Sequence, residues 1–336
     1  MRALLLRDGG LVKDEVELPK IENGEVLIKV HSAGICHTEL HFLDSIIPAP
    51  NGIILGHEIA GEVEEIKGDS DLKKGDRVVL YYYQGCGQCN FCKTGEENLC
   101  PRPKLELGFM NNGGFAQYVK APIRNAIRIP DQISFEEAAP IGCSVTTAIH
   151  ATSKASIKEG DTVVVYGVGG VGFQLIQYNR LKGAKVIAVS RNQKKLELAK
   201  ELGATEVVNP LKDSLTKKVH EITKGNMADV VYDLVGTKES YNSYIRAVGR
   251  KGRVVLIGYE REKIEMNPLY NIVREITVTA SVGNTLDELR EGLRLVAEGK
   301  MKILIDKVVS LDKVGEALEE YKKGNALGRI VADPWL

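Results

Sequence analysis

Cys86, Cys89, Cys92 and Cys100 stand in a C-x2-C-x2-C-x7-C spacing, with Gly85, Gly87, Asn90 and Gly95 loosening the backbone between them. Four thiolates so spaced can close a tetrahedron around zinc. Because sulfur fills every position, such a site holds structure and takes no substrate. A similar spacing could hold an iron–sulfur cluster or belong to a nucleic-acid-binding zinc module. The second option is weakened because 45 basic residues balance 45 acidic ones and no basic stripe flanks the cluster. Cys36 and Cys143, the other two cysteines, read one at a time as small buried hydrophobes.

A second stretch with chemistry in it is Gly167-Val168-Gly169-Gly170-Val171-Gly172, after the apolar run ending at Tyr166 and before the helical run Phe173 to Arg180. Glycines there permit a tight turn and close approach of backbone to a pyrophosphate, whose charge rests on the unpaired amides of the helix N-terminus. We therefore expect Gly167, Gly169, Gly170, Val171 and Gly172 to form a dinucleotide site. An acidic residue at the end of the next strand, Val186 to Val189, would select an unmodified ribose. Ser190 and Arg191 stand there instead, with Lys194 and Lys195 behind them. A hydroxyl and a guanidinium fork suit a 2′-phosphate, so Ser190, Arg191 and Lys195 point to NADP(H) ahead of NAD(H).

These residues need elements to hold them. The chain has 336 residues, enough for roughly two domains. Its 43% hydrophobic and 27% charged content is that of a globular protein, and its formal net charge of 0 gives no general affinity for polyanions, so no nucleic-acid partner is expected. No run approaches the roughly 18 apolar residues of a membrane helix, and the apolar start Met1 to Leu6 is cut short by Arg7 and Asp8. A cytoplasmic location follows as the expectation, where cysteines serve as ligands before they serve as disulfides. The first third alternates β-rich runs, Val26 to Val30, Ile59 to Ile66 and Arg77 to Tyr83, with Gly, Pro and Asp breaks. From about Asp161 the rhythm becomes strand, glycine turn, helix. The strand candidates are Val163 to Tyr166, Val186 to Val189, Glu206 to Val208, Val230 to Tyr232, Val254 to Ile257 and Ile276 to Ala280, a pattern that predicts a parallel sheet covered on both faces. Helical spacing returns at Leu286 to Glu298 and Leu311 to Lys323.

Taken in order, Gly34-Ile35-Cys36-His37-Thr38-Glu39-Leu40-His41, then Gly56-His57-Glu58-Ile59-Ala60-Gly61, the four-cysteine lobe, Gly142-Cys143 and the glycine turn resemble the zinc-containing medium-chain alcohol dehydrogenases over essentially the whole chain. The resemblance implies a catalytic zinc on Cys36, His57 and Cys143 with an open fourth position, and Glu58 beside it as a neighbour or alternate ligand. It implies that Thr38 touches the substrate oxygen and that His41 hands the proton on to water. His37 and Arg329 would contact the cofactor pyrophosphate, and Tyr82, with Ile47 near it, would line the substrate pocket. Polyol-oxidising relatives usually carry a glutamate where this chain has Cys143. His31, His150 and His220 match no ligand position.

The expected fold is α/β. A Rossmann doubly wound parallel sheet domain, about 145–283, interrupts a β-rich GroES-like catalytic domain, 1–144 and 284–336, whose structural-zinc lobe lies at about 84–102. The resemblance also implies a homodimer or homotetramer, and Ile276 to Ser281 is the expected pairing strand. The expected function is zinc-dependent hydride transfer between NADP(H), or NAD(H), and a small-molecule alcohol, aldehyde or ketone, with two zinc ions per chain and no membrane partner. Alternatives are a polyol or amino-acid dehydrogenase, an enoyl or quinone reductase of the same superfamily, and a non-catalytic NADPH-binding protein.

Overall fold

The computed structural model describes all 336 residues, which divide into two compact units, Met1–Thr146 with Asn284–Leu336, and Thr147–Gly283.

In the first unit a seven-stranded sheet runs in the order Ala126–Arg128, Arg77–Leu80, Glu58–Lys67, Glu25–Ile35, Arg329–Asp333 and Ile305–Ser310, with Tyr118–Pro122 also paired to Glu25–Ile35. Register is what matters for function. Glu25–Ile35 lies antiparallel to Glu58–Lys67 with Gly34 opposite Glu58, and antiparallel to Arg329–Asp333 with Ile35 opposite Ile330. Cys36, His57, Glu58 and Arg329 therefore arrive at one end of three adjacent strands. Side chains alternate between faces, so a slip of one residue would turn each of them away. A Cβ on Gly34 would fall on the Glu58 carboxylate, which is why the strand carries glycine there.

Residues 77–83 were expected to form one strand. The strand instead stops at Leu80, and Tyr83–Gln84 pairs separately with Leu105–Glu106 in a two-stranded ribbon at the base of the cysteine lobe. Asn125 explains the break: its Nδ2 donates to the carbonyls of Tyr81 and Tyr83 at 2.7 and 2.8 Å, occupying the acceptors a ladder would use. A capped helix, Phe135–Pro140, passes into a wide π-turn, Ile141–Val145, and then into the helix Thr146–Ala155. Such turns free backbone carbonyls. Here Ser144 Oγ donates to Pro140 O, and Thr146 Oγ1 to the carbonyls of Gly142 and Cys143.

The second unit is a six-stranded parallel sheet in the order Glu206–Val208, Lys185–Val189, Thr162–Tyr166, Ala228–Asp233, Val248–Leu256, Thr277–Ala280. Counted along the unit this is 3-2-1-4-5-6, the doubly wound order of dinucleotide-binding sheets. Thr162–Tyr166 is buried throughout, as a strand covered on both faces must be. One face packs Val164, Ile187, Val189 and Val231 against Leu215, Val219, Tyr241 and Tyr244. No helix of the chain is long and apolar enough to cross a membrane.

Candidate active site

One atom each from Cys36, His57, Glu58 and Cys143 forms a group in which all four lie within 4.8 Å of one another, and all four residues are buried. Cys36 follows the long strand Glu25–Ile35, His57 precedes and Glu58 opens the strand Glu58–Lys67, and Cys143 sits in the π-turn. Glu39 orients the histidine. Its Oε1 lies 3.0 Å from His57 Nδ1 while its Oε2 accepts from the Cys36 amide at 2.8 Å, so Nε2 is the nitrogen left for the sulfurs, an arrangement typical of metal-binding histidines. Burial opposes charge on His57, but Glu39 and Cys36 overcome it and hold the imidazole well above its ordinary pKa. A hydrogen bond from Cys143, together with Arg329 and His57, holds Cys36 well below the usual thiol range, while Cys143 is held well above it. Cys36 is thus the more acidic thiol of the pair.

Glu58 and Arg329 form a buried ion pair, Oε1 to Nη2 at 2.6 Å, and Arg329 Nη1 reaches the Ile35 carbonyl at 3.4 Å. Burial nevertheless pushes the Glu58 carboxyl up to about 8. Glu58 Oε2 is buried without a hydrogen-bond partner, an orphaned acceptor inside a group of soft donors. Two thiols, an imidazole and this oxygen fit a zinc ion by donor chemistry and by spacing. Arg329 was expected at a cofactor phosphate. The strand register folds it inward onto Glu58 instead, leaving it 4% exposed.

Thr38 opens the helix Thr38–Leu43, with its Oγ1 3.5 Å from Cys36 Sγ. His37, the residue before it, is exposed, whereas His41, one turn on, is buried with its ring edge-on to that of His37 at 5.2 Å. Beside the ligand group stands an aromatic wall. The Tyr82 ring is 5.3 Å from His57 and stacks on Phe109 at 5.7 Å, and Phe109 meets His57 at 4.9 Å and Phe42 at 5.4 Å. Ile47 is half-buried in the segment that follows the helix, its amide on the His41 carbonyl.

The sulfurs of Cys86, Cys89, Cys92 and Cys100 also lie within 4.8 Å of one another. Sulfurs on a tetrahedral zinc with bonds of about 2.3 Å are ~3.8 Å apart; the separations here are 3.4 Å for Cys89–Cys92, 3.8 Å for Cys89–Cys100 and 4.0 Å for Cys86–Cys92. The amides of Gln88 and Cys89 pull the Cys86 thiol down to about 6, so it is ionised at neutral pH. The lobe fits zinc.

In the second unit Thr162–Tyr166 runs through Gly167 and Val168 into the helix Gly170–Leu181, which has Gly169 as its N-cap and no side-chain cap. A Cβ on Gly169 would meet nothing within 4 Å. Bare helix amides facing open space suit a pyrophosphate, so the turn fits a dinucleotide. After Lys185–Val189, Ser190 Oγ accepts from the Asn192 amide, and Asn192 caps the helix Gln193–Glu201. Arg191 and Lys194 are exposed, but Lys195 is only 8% exposed because it lies on the helix face shared with Leu196 and Ala199. It does not stand with Arg191 as a second open cation.

Sequence reasoning missed three residues here: Glu39, Phe109 and Asn284. Glu39 had a signal, an acid three positions after Cys36, close enough in sequence to reach back to the Cys36 amide. Phe109 and Asn284 are brought in by tertiary packing and had none.

Residues 22–131 match the alcohol dehydrogenase GroES-like domain family and residues 170–298 the zinc-binding dehydrogenase family. The chain is 37% identical over 321 residues to an alcohol dehydrogenase of Geobacillus stearothermophilus, covering 94% of each chain. It is 33% identical over 353 residues to an NAD-dependent alcohol dehydrogenase of Sulfurisphaera tokodaii, covering 99% of this chain and all of that one. Among solved structures, a zinc-binding dehydrogenase from Sinorhizobium meliloti 1021 bound to NADP superposes with a TM-score of 0.90 at 29% identity, over 99% of both chains. With these matches across both units, the chain belongs to the zinc-containing medium-chain alcohol dehydrogenases and is a zinc-dependent, nicotinamide-linked alcohol oxidoreductase.

Proposed function

We propose that Cys36, His57 and Cys143 hold the catalytic zinc, that Glu58 lies beside it as a neighbour poised to ligate, and that the enzyme interconverts small apolar alcohols with their aldehydes or ketones. The observation that carries this is the buried four-donor group with the Phe42, Tyr82 and Phe109 wall against its histidine. When bound, zinc supplies a Lewis acid that makes an alcohol hydroxyl more acidic, and the nicotinamide supplies the hydride acceptor or donor. The protein's residues do the rest. Glu39 fixes the His57 ring through Nδ1. Thr38 Oγ1 accepts a hydrogen bond from the alcohol hydroxyl and relays, giving up its own proton as it takes the alcohol's, and the His41 imidazole hands a proton on to water. The aromatic wall keeps water from the reacting carbon and orients an apolar substituent. On this reading the first unit is the catalytic domain and the second the cofactor domain, with Gly167, Gly169, Gly170, Val171 and Gly172 around the pyrophosphate.

We further propose NADP(H) as the preferred cofactor. Arg191 is exposed immediately beyond the strand Lys185–Val189, and residues 190–195 contain no carboxylate. Relatives of both kinds exist, one named NAD-dependent and one bound to NADP, so the side chains decide. Comparing NADPH with NADH oxidation across aliphatic and aromatic aldehydes tests substrate class and cofactor together. Arg191→Asp is expected to weaken NADPH binding by roughly tenfold to a hundredfold, the worth of a lost charge-assisted hydrogen bond. NADH binding, read by the same fluorescence titration, should hardly move; equal loss for both would remove Arg191 from this role.

For the four-cysteine lobe we propose structural zinc. Cys92→Ser is expected to release one zinc and lower the melting temperature by roughly 10 °C, as metal analysis and calorimetry would detect. An unchanged metal content would refute the assignment. A homodimer or homotetramer is proposed with Thr277–Ala280 as the pairing strand, since it is the last in its sheet's order and an unpaired edge invites a partner. The six free cysteines suit a reducing cytoplasm.

A further inference from the structure

Asn284 begins the C-terminal part of the first unit and is 0% exposed. Its carboxamide is no better a metal ligand than its neighbours, and burying one is unfavourable unless it is hydrogen-bonded. Asn284 Nδ2 donates to the Gly142 carbonyl at 3.2 Å and to Tyr82 Oη at 3.1 Å, while the Asn284 backbone carbonyl accepts from Tyr81 Oη at 3.0 Å. A carbonyl can only accept, so chemistry fixes the amino side of the carboxamide toward Gly142. Gly142 precedes Cys143 in the π-turn, and Tyr82 is the ring against His57. One side chain therefore joins the turn carrying a sulfur donor to the wall facing the imidazole donor.

We propose that Asn284 is a positioning residue that fixes the distance between Tyr82 and the Cys143 turn and so sets the fit of the alcohol beside the ligand group. This rests on the reading of Cys36, His57 and Cys143 as zinc ligands. Three tethers converge on Asn284 from two segments that make no backbone ladder with it, while its own Oδ1 is buried without a hydrogen-bond partner. Aspartate is nearly the same size but would set an acceptor against the Gly142 carbonyl; leucine would make no polar bond at all.

The test uses full-length protein with cobalt(II) in place of zinc. Asn284→Asp and Asn284→Leu are each expected to shift the thiolate-to-cobalt and d–d absorption bands from their wild-type positions. In the zinc enzyme they should raise KM for a short primary alcohol about tenfold while kcat changes less than about threefold. Tyr82→Phe, which keeps the Gly142 tether, is expected to leave the bands in place and raise KM by a smaller factor. If Asn284→Asp does not accumulate as folded protein, Asn284→Gln, with the same donor on a longer arm, carries the same readouts. Wild-type bands and wild-type KM in the folded Asn284 variants, whatever their melting temperature, would overturn the proposal by making Asn284 a plain buttress. Absence of thiolate-to-cobalt bands beyond those of the four-cysteine lobe in the unmutated protein would overturn the ligand reading itself, and the inference with it.

Discussion

Cys36→Ser is expected to lower kcat by about a thousandfold or more, the scale on which loss of a Lewis-acid metal acts. Bound zinc should fall from about two ions per chain to about one, as expected for emptying the site with an open position while the all-sulfur site stays closed. The geometry explains why a change of one atom is so damaging. Cys36 is the thiol that Cys143, Arg329 and His57 hold well below the usual thiol range, and a serine hydroxyl neither ionises near neutral pH nor matches zinc as sulfur does. Glu39 would still accept from the residue 36 amide, so the backbone should survive and the variant should fold. Turnover and metal content are read on the same preparation, and a variant with both zinc ions and unchanged turnover would remove Cys36 from the site.

At pH 9, above the Glu58 value of about 8, Arg329→Leu is expected to destabilise the protein by about 3–5 kcal/mol, the usual penalty for leaving one half of a buried ion pair alone. Glu58 is fully buried, its Oε1 accepts from Arg329 at 2.6 Å, and its Oε2 has no partner. No solvent is available to take over. The double variant Glu58→Leu with Arg329→Leu should recover most of that loss, because two apolar side chains can fill the space two charges vacate. Urea denaturation of the wild type, both single variants and the double variant closes the cycle. Additive losses would mean that the pair does not act as a unit.

The parts of this enzyme visible in the sequence were those encoded locally. The cysteine lobe lies within Cys86 to Cys100 and the phosphate turn within Gly167 to Gly172, and local spacing is enough to specify each. The four inner strands of the second unit were legible because they are largely buried on both faces, so their apolar runs are nearly continuous. Other features depended on which surfaces the fold brings together. Lys195 looked like an open cation behind Arg191, but the helix turns it onto the face of Leu196 and Ala199. Tyr81 and Tyr82 looked like strand, but the distant Asn125 carboxamide takes the carbonyls of Tyr81 and Tyr83 on either side of Tyr82. Arg329 sits in its buried pair because Ile330 lies opposite Ile35, a register set across some 300 residues of chain.

That register also sets an order of events in biosynthesis. The four-cysteine lobe is complete once Cys100 has emerged, and its short loops close quickly. The second donor group needs Cys36, His57 and Glu58 joined by Cys143, and its counter-charge Arg329 comes 186 residues after Cys143. A nascent chain can thus assemble the sulfur lobe early, while the second donor group gains its electrostatic balance only after Arg329 has followed. Catalytic competence in this fold is a late acquisition, delayed until the last strand has slotted in beside the first long one.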